Sequence, residues 1–452
     1  EAEQVEAGYE AARSALRRWP GDPRLRYAVG QCLLDLGRPA EALEALDGVA
    51  QAGLPQAHYA CFAALARLHR FDEAEAAADA ALAADPTDPA ALHGAAQMRW
   101  MTGRGEAIPS VFETALDRSV GALGVYLAYA DTLIQMAKLD EARAVLQRAW
   151  ARHGGDPQLS DRAITIEVEA GDVAAALDAA RRAADRFPDA ALLWANRARA
   201  HLMAGEADAA RALTRAGRGA RPHDQFWIAM DATAARMQGD PDYAALYDIA
   251  AFTMTQSLEP PAHYGGLAAF NARLAGTLRR LHYFSVAPLD QSLREGAQTP
   301  TDLRHSREPV IVDFFKMVET AFKRFRAQLH ASGDHPFLAG IPSDFRLQGA
   351  WSVKLGPNGR HVNHVHPQGW ASSVYYVDVP PQVAGSPEKE GWLKFCEPPF
   401  PVPGAEPQGH VEPRAGELTL FPSYMWHGTV PIRSGERLTI AFDIAPDRKS
   451  PP

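Results

Sequence analysis

HVNHVHP (361–367), FPSYMWHGTVP (421–431) and ERLTIAFDI (436–444) decide how the C-terminal half of this 452-residue chain is read. His364 and His366 are two residues apart, His427 lies 61 residues after His366, and Arg437 follows ten residues after His427. Side chains alternate along an extended strand, so His364 and His366 share one face. A third imidazole from a distant strand completes one side of a coordination sphere and leaves the other side open to water, oxygen or substrate. Arg437 enters the apolar run LTIAF, where an unpaired charge is costly. Its planar, permanently charged fork suits a carboxylate. One reading gives that arginine an anionic co-substrate beside a metal ion; the other gives it a strand-edge ion pair with Glu417 or Glu436.

Working outward, alternating apolar residues predict strands over 345–355, 371–379, 391–396, 417–421 and 436–444, separated by Gly/Pro-rich loops. Helical spacing marks 268–284 and 310–330 as supporting helices, and 287–300 is polar with turn signals. Short strands with long loops behind helices predict a double-sheet jelly roll. Tyr375 and Tyr376 take opposite faces of one strand, and periodicity does not say which points inward. With period two, His361 falls on the face opposite His364 and His366.

The N-terminal half carries a different pattern. Inter-helix turns fall at Gly37, His69, Gly103, Ala137, Gly171, Gly205 and Gly239, with successive spacings of 32, 34, 34, 34, 34 and 34 residues. Asp-Pro or Pro marks the boundaries, as at Asp22-Pro23, Asp88-Pro89 and Asp156-Pro157. Helix pairs of this kind cannot bury their apolar faces alone, so stacking supplies the core. This pattern resembles the tetratricopeptide repeat. The expected organisation is an all-α tetratricopeptide solenoid of about seven repeats over 1–255, a hinge at 256–266 (containing the Pro/Gly-rich SLEPPAHYGG), and a double-stranded β-helix (jelly-roll) domain with supporting helices over 267–448.

GPNGRHVNHVHP, GELTLFPSYMWHGTVP and ERLTIAFDI together resemble the Fe(II)/2-oxoglutarate-dependent oxygenase superfamily, and within it a bacterial group with an HxHP first motif that often follows tetratricopeptide repeats. The resemblance covers roughly 265–446. It implies iron on His364, His366 and His427, and 2-oxoglutarate held through its distal carboxylate by Arg437, with Thr439 as hydroxyl partner and Tyr376 facing the co-substrate. Asn363, Arg360, Trp426 and Arg294 would flank the ligands or touch substrate, as would Gln291. Position 366 departs from the superfamily's pattern, which places a carboxylate ligand there. Either three imidazoles bind iron, the reading taken here, or His366 stands behind the ligands and two remain.

The implied reaction consumes 2-oxoglutarate and O2, releases succinate and CO2, and hydroxylates a C–H bond. The leading expectation is a hydroxylase acting on a side chain of a peptide or protein held partly in the repeat groove. An oxygenase for a free amino acid or small metabolite, with the repeats used for dimerisation or as a lid, is the second reading; a non-catalytic repeat scaffold is the third. A cupin-like enzyme would need a Glu shortly after His366, and PQGWASS has none. A net charge of −9 argues against a nucleic-acid or acidic-membrane partner. Three scattered cysteines, Cys32, Cys61 and Cys396, fit a reducing, cytoplasmic setting rather than a disulfide framework. No run of about 18 apolar residues predicts a membrane span.

Overall fold

Each turn that recurs in the sequence reverses a helix pair. The computed structural model describes residues 2–300, 302–333 and 335–446; the expected domain edge at 448 lies outside them. The helices of the repeat region are α1 (Ala2–Arg18), α2 (Pro23–Asp35), α3 (Pro39–Leu46), α4 (Ala57–Arg67), α5 (Phe71–Ala84), α6 (Pro89–Met101), α7 (Ile108–Arg118), α8 (Leu123–Gln135), α9 (Leu139–His153), α10 (Pro157–Ala170), α11 (Val173–Arg186), α12 (Trp194–Met203), α13 (Ala207–Ala220), α14 (Gln225–Gln238) and α15 (Asp242–Leu246). All seven turn residues have positive φ, between 59° and 77°, including the non-glycine His69 and Ala137. The boundary Asp-Pro pairs work as caps. The Asp22 and Asp88 carboxylates accept backbone N–H groups of the first helical turn, while Pro23 and Pro89 occupy positions where no N–H is missed. After the Gly103 turn the next helix starts late: Gly105–Ala107 forms a 3-10 turn before α7.

The chain forms two compact units, 1–162 and 163–452, divided within α10. In the first, Ala42, Ala74 and Ala142 are fully buried at helix contacts. Gly94 is small for a steric reason: a Cβ there would lie 2.6 Å from the Phe62 ring.

The second unit begins well before the repeat period stops, so repeat and compact unit divide the chain at different places. Its core joins Trp227 and Met230 of α14 to the β domain. After α16 (Ile249–Phe252) come α17 (Leu267–Leu281), α18 (Pro309–Gln328) and the short α19 (Pro336–Ala339). The strands are β1 (Met254–Ser257), β2 (Leu293–Gln298), β3 (Leu347–His361), β4 (Ala371–Asp378), β5 (Leu393–Phe395), β6 (Gly409–Val411), β7 (Glu417–Pro422), β8 (His427–Thr429) and β9 (Arg437–Ile444). They form one sheet in the order β1-β7-β4-β9-β3-β2 and a second in the order β6-β5-β8, the two sheets of a jelly roll with all pairs antiparallel. Four strands lie outside the expected ones: the three-residue β6 and β8, and two in the larger sheet. β1 lies partly inside the expected hinge and pairs with β7, and β2 lies in the stretch read as polar turns. Neither has an apolar face long enough to signal a strand.

β9 sits at the centre of the larger sheet, between β3 and β4. Leu438, Ile440 and Phe442 are buried on one face, with Phe442 near Phe314 of α18 (ring centroids 6.4 Å apart). Arg437, Thr439, Ala441 and Asp443 occupy the other face and line a cavity. This period-two division is what aims the site residues. Among the described residues no helix is long and apolar enough to cross a membrane.

Candidate metal and co-substrate site

β3 ends at His361, and the chain then leaves the sheet. His364 is held by an isolated antiparallel bridge to His427 at the start of β8. The His366 backbone N–H donates to Ser423 O at 3.1 Å. Two separate segments therefore deliver three rings, with centroids 4.3 Å (His364–His427), 5.0 Å (His364–His366) and 5.2 Å (His366–His427) apart. One ligand-capable nitrogen from each ring lies within 4.8 Å of the others.

Their hydrogen bonds determine which nitrogen is free. His364 Nδ1 donates to Val362 O at 2.8 Å, His427 Nδ1 to Met425 O at 2.8 Å, and His366 Nδ1 to an Asp443 carboxylate oxygen at 2.5 Å. Carbonyl and carboxylate oxygens only accept, so all three Nδ1 atoms carry a proton, and Nε2 is the nitrogen of each ring left for a metal. Burial pushes the His364 pKa down to about 3, and burial together with the neighbouring imidazoles holds His427 well below the ordinary value. Both rings are neutral near pH 7, the form that binds a metal. His427 is buried, whereas the exposed parts of His364 and His366 face the cavity.

That cavity measures about 440 Å³. Arg437 lines it and is buried; Nη1 donates to Gly391 O and Nη2 to Thr429 Oγ1 at 3.4 Å, while Nε has no partner. Burial lowers its pKa, yet among the described residues no carboxylate pairs with it. Glu436 pairs instead with Arg279 at 2.9 Å, and among the described residues Arg437 makes no ion pair with Glu417 either. Asp443 is six residues along the strand, roughly 20 Å away at about 3.3 Å per residue, too far to neutralise it. Tyr376 pairs across the sheet with Thr439, and Arg437 lies 5.7 Å over its ring. The buried Tyr376 hydroxyl has no partner, and burial pushes its pKa up to about 12, so it stays a donor. A buried cation and a buried hydroxyl, both short of acceptors, suit an anion with carboxylate oxygens.

Thr439 lines the same cavity. Tyr375 points the other way, donating to Asn271 on α17 at 2.6 Å. Four expected neighbours lie outside the lining. Arg294 donates to Gln291 O and Leu293 O, at 2.7 and 2.9 Å, and Arg360 to Asn358 O at 3.4 Å. Asn363 bonds Glu397 at 2.8 Å and Pro398 O at 3.2 Å. Trp426 donates to Thr233 of α14 at 2.9 Å. Gln291 is in the lining.

His361 was expected on the opposite face but shares the cavity, its ring 5.6 Å from His364 and its Nδ1 2.9 Å from Ser292 Oγ. Period two fails there because 362–366 is no longer strand. Sequence reasoning also missed Trp351, stacked beside His366 at 5.8 Å, and Asp443. The signal for Asp443 was available: it continues the alternate positions 437, 439 and 441.

The family model described as "Putative 2OG-Fe(II) oxygenase" matches residues 349–443. Two tetratricopeptide-repeat models match 1–68 with 110–161, and 62–121 with 162–224. No curated protein sequence matches the chain. Among solved structures, a Pseudomonas putida prolyl-4-hydroxylase aligns over 45% of this chain and 97% of its own at 20% identity (TM-score 0.30). Yeast Tom70 aligns over 54% of this chain and 53% of its own at 15% identity (TM-score 0.42). A chain of the Cut9-Hcn1 hetero-tetramer aligns over 54% of this chain at 18% identity (TM-score 0.33), and this chain spans half of its length. All three TM-scores lie below 0.5, too low to carry an activity across.

Proposed function

We propose, on the premise that this chain carries a 2OG-Fe(II) oxygenase domain behind tetratricopeptide repeats, that it is an Fe(II)- and 2-oxoglutarate-dependent dioxygenase that hydroxylates a side chain of a peptide or protein. The observation that carries this reading is the buried, carboxylate-free Arg437 facing the same cavity as three imidazoles at ligand spacing. His364, His366 and His427 would hold the iron. Arg437 would grip the distal carboxylate of 2-oxoglutarate, with the Tyr376 hydroxyl and Thr439 beside it. When bound, the iron and its co-substrate supply the oxidising chemistry, in which 2-oxoglutarate and O2 become succinate and CO2 and a C–H bond becomes C–OH. The chain itself orients the co-substrate, excludes bulk water from a small cavity and keeps His364 and His427 neutral. None of its residues needs to act as a general base.

The peptide reading draws on the repeats and on cavity size. About 440 Å³ suits 2-oxoglutarate and one substrate side chain, so the rest of a large substrate would lie outside, where a repeat groove serves. The test is succinate formation with Fe(II), 2-oxoglutarate and peptide or protein substrates, together with calorimetric 2-oxoglutarate binding in anaerobic, metal-loaded protein. Loss of both in the wild-type chain would overturn the oxygenase reading. The full chain and one beginning at Pro157 should differ on protein substrates. Equal turnover of a free metabolite by both, with no protein product, would overturn the peptide reading in favour of a small-molecule oxygenase.

A further inference from the structure

We infer that Asp443 is the outer carboxylate of the metal site: it fixes His366 as the Nδ1–H tautomer and returns, one imidazole away, the negative charge that three neutral ligands lack. This rests on the metal reading above.

The three histidines are not supported alike. His364 and His427 each donate Nδ1–H to the carbonyl two residues earlier, Val362 and Met425. For His366 the corresponding carbonyl is that of His364, and it already accepts the His427 N–H at 3.0 Å. That carbonyl is used in the bridge that brings His364 and His427 together, and the third ring bonds elsewhere. Asp443 replaces it at 2.5 Å, the only charged acceptor among the three.

Asp443 is placed to do this rigidly. It lies on the central strand β9 with Gly349 opposite on one side and Ser372 on the other. Its second carboxylate oxygen accepts from Ser372 Oγ at 2.8 Å. Ser372 Oγ is 2.9 Å from Ser423 Oγ, and Ser423 O accepts the His366 backbone N–H at 3.1 Å. Bonds thus run in a closed circuit from Asp443 through Ser372 and Ser423 to His366 and back. Gly369 leaves room for it, since a Cβ there would sit 2.5 Å from Ser423 Oγ. Both Asp443 oxygens thus already accept a hydrogen bond. Among the described residues the ligand-spaced group contains the three imidazoles alone. A carboxylate behind a ligating imidazole raises its basicity and fixes its orientation, and losing such a partner costs about 10–100-fold in metal affinity.

Asp443→Asn separates charge from geometry, because the amide oxygen still accepts Nδ1–H and the amide nitrogen can meet Ser372 Oγ. Anaerobic titration of the full chain with Co(II), followed by its visible absorption, should show about 10–100-fold weaker binding by Asp443→Asn and weaker binding still by Asp443→Ala. Circular dichroism of the metal-free proteins should remain unchanged. Wild-type affinity in a folded Asp443→Asn protein overturns the inference while leaving the metal site standing. Failure of the wild-type protein to bind Co(II) overturns both. A readout independent of any variant is the imidazole 15N spectrum of the metal-free wild-type protein: a protonated Nδ1 at His366 supports the assignment, and an Nδ1 without a proton overturns it.

Discussion

His364 and His427 exchange both backbone hydrogen bonds, at 2.9 and 3.0 Å, so two of the three metal-facing rings are cross-strand neighbours held by main chain alone. Side-chain removal at either position should leave that pairing intact. His364→Ala is expected to fold, and to lose metal affinity by about 100-fold or more, since a direct ligand matters at least as much as its supporting partner. Metal at about 100 times its dissociation constant should stabilise the wild-type protein by about 2.7 kcal/mol. Calorimetric melting should show that shift in wild type and at most about 0.4 kcal/mol in His364→Ala.

Arg437 holds a charge in the protein interior without a carboxylate. Arg437→Met should weaken 2-oxoglutarate binding by about 10–100-fold, the worth of one or more charge-assisted hydrogen bonds. The same change should raise the stability of the co-substrate-free protein by about 1 kcal/mol, because a desolvated cation is gone. Metal affinity should not move. Calorimetric titration and thermal melting check the two halves separately, and unchanged 2-oxoglutarate binding would remove Arg437 from the site.

The oxygenase core leans on the last repeats. Trp426, next to His427, donates to Thr233 of α14, Tyr424 donates to Leu246 O at 2.6 Å, and Tyr247 donates to Tyr424 O at 2.9 Å. Thr233→Val should cost about 1–3 kcal/mol by leaving the buried indole N–H unpaired. A chain beginning at Pro157 should fold and keep its metal site, whereas one beginning at residue 256 should not. Soluble expression followed by Co(II) titration distinguishes these outcomes.

His282 provides a pH handle away from the metal-facing rings. Its ring is 3.0 Å from Ser352 Oγ, and burial, aided by Lys354 and Arg279, pushes its pKa down to about 4. The folded pKa lies below the unfolded value of about 6.5, so below that pH the unfolded chain binds the extra proton first. The stability associated with neutral His282 is complete above about pH 6.5 and is lost as pH falls towards 4, on the order of 2 kcal/mol. His282→Asn should flatten the dependence of melting temperature on pH across that window. An unchanged slope would show that other groups set it.

Local patterns carried a large part of the result. Seven turn positions read from spacing all adopt positive φ, because reversing a helix pair in one residue needs that backbone state whatever the side chain, even at His69 and Ala137. The alternate residues of β9 face the cavity because pleating is local. What lay beyond the sequence depended on contacts between distant segments. His361 joins the cavity because its strand ends there, Glu436 is taken by Arg279 from another element, and Asp443 finds His366 only when β9 packs beside the 362–370 loop. The compact boundary at 163, rather than at the end of the repeat period, is likewise a property of packing: α14 buries its apolar face against the β domain. Periodicity dictates which way a side chain points along its own element, but which partner it meets is set by burial and hydrogen-bond satisfaction across elements, and these exist only once the chain has folded.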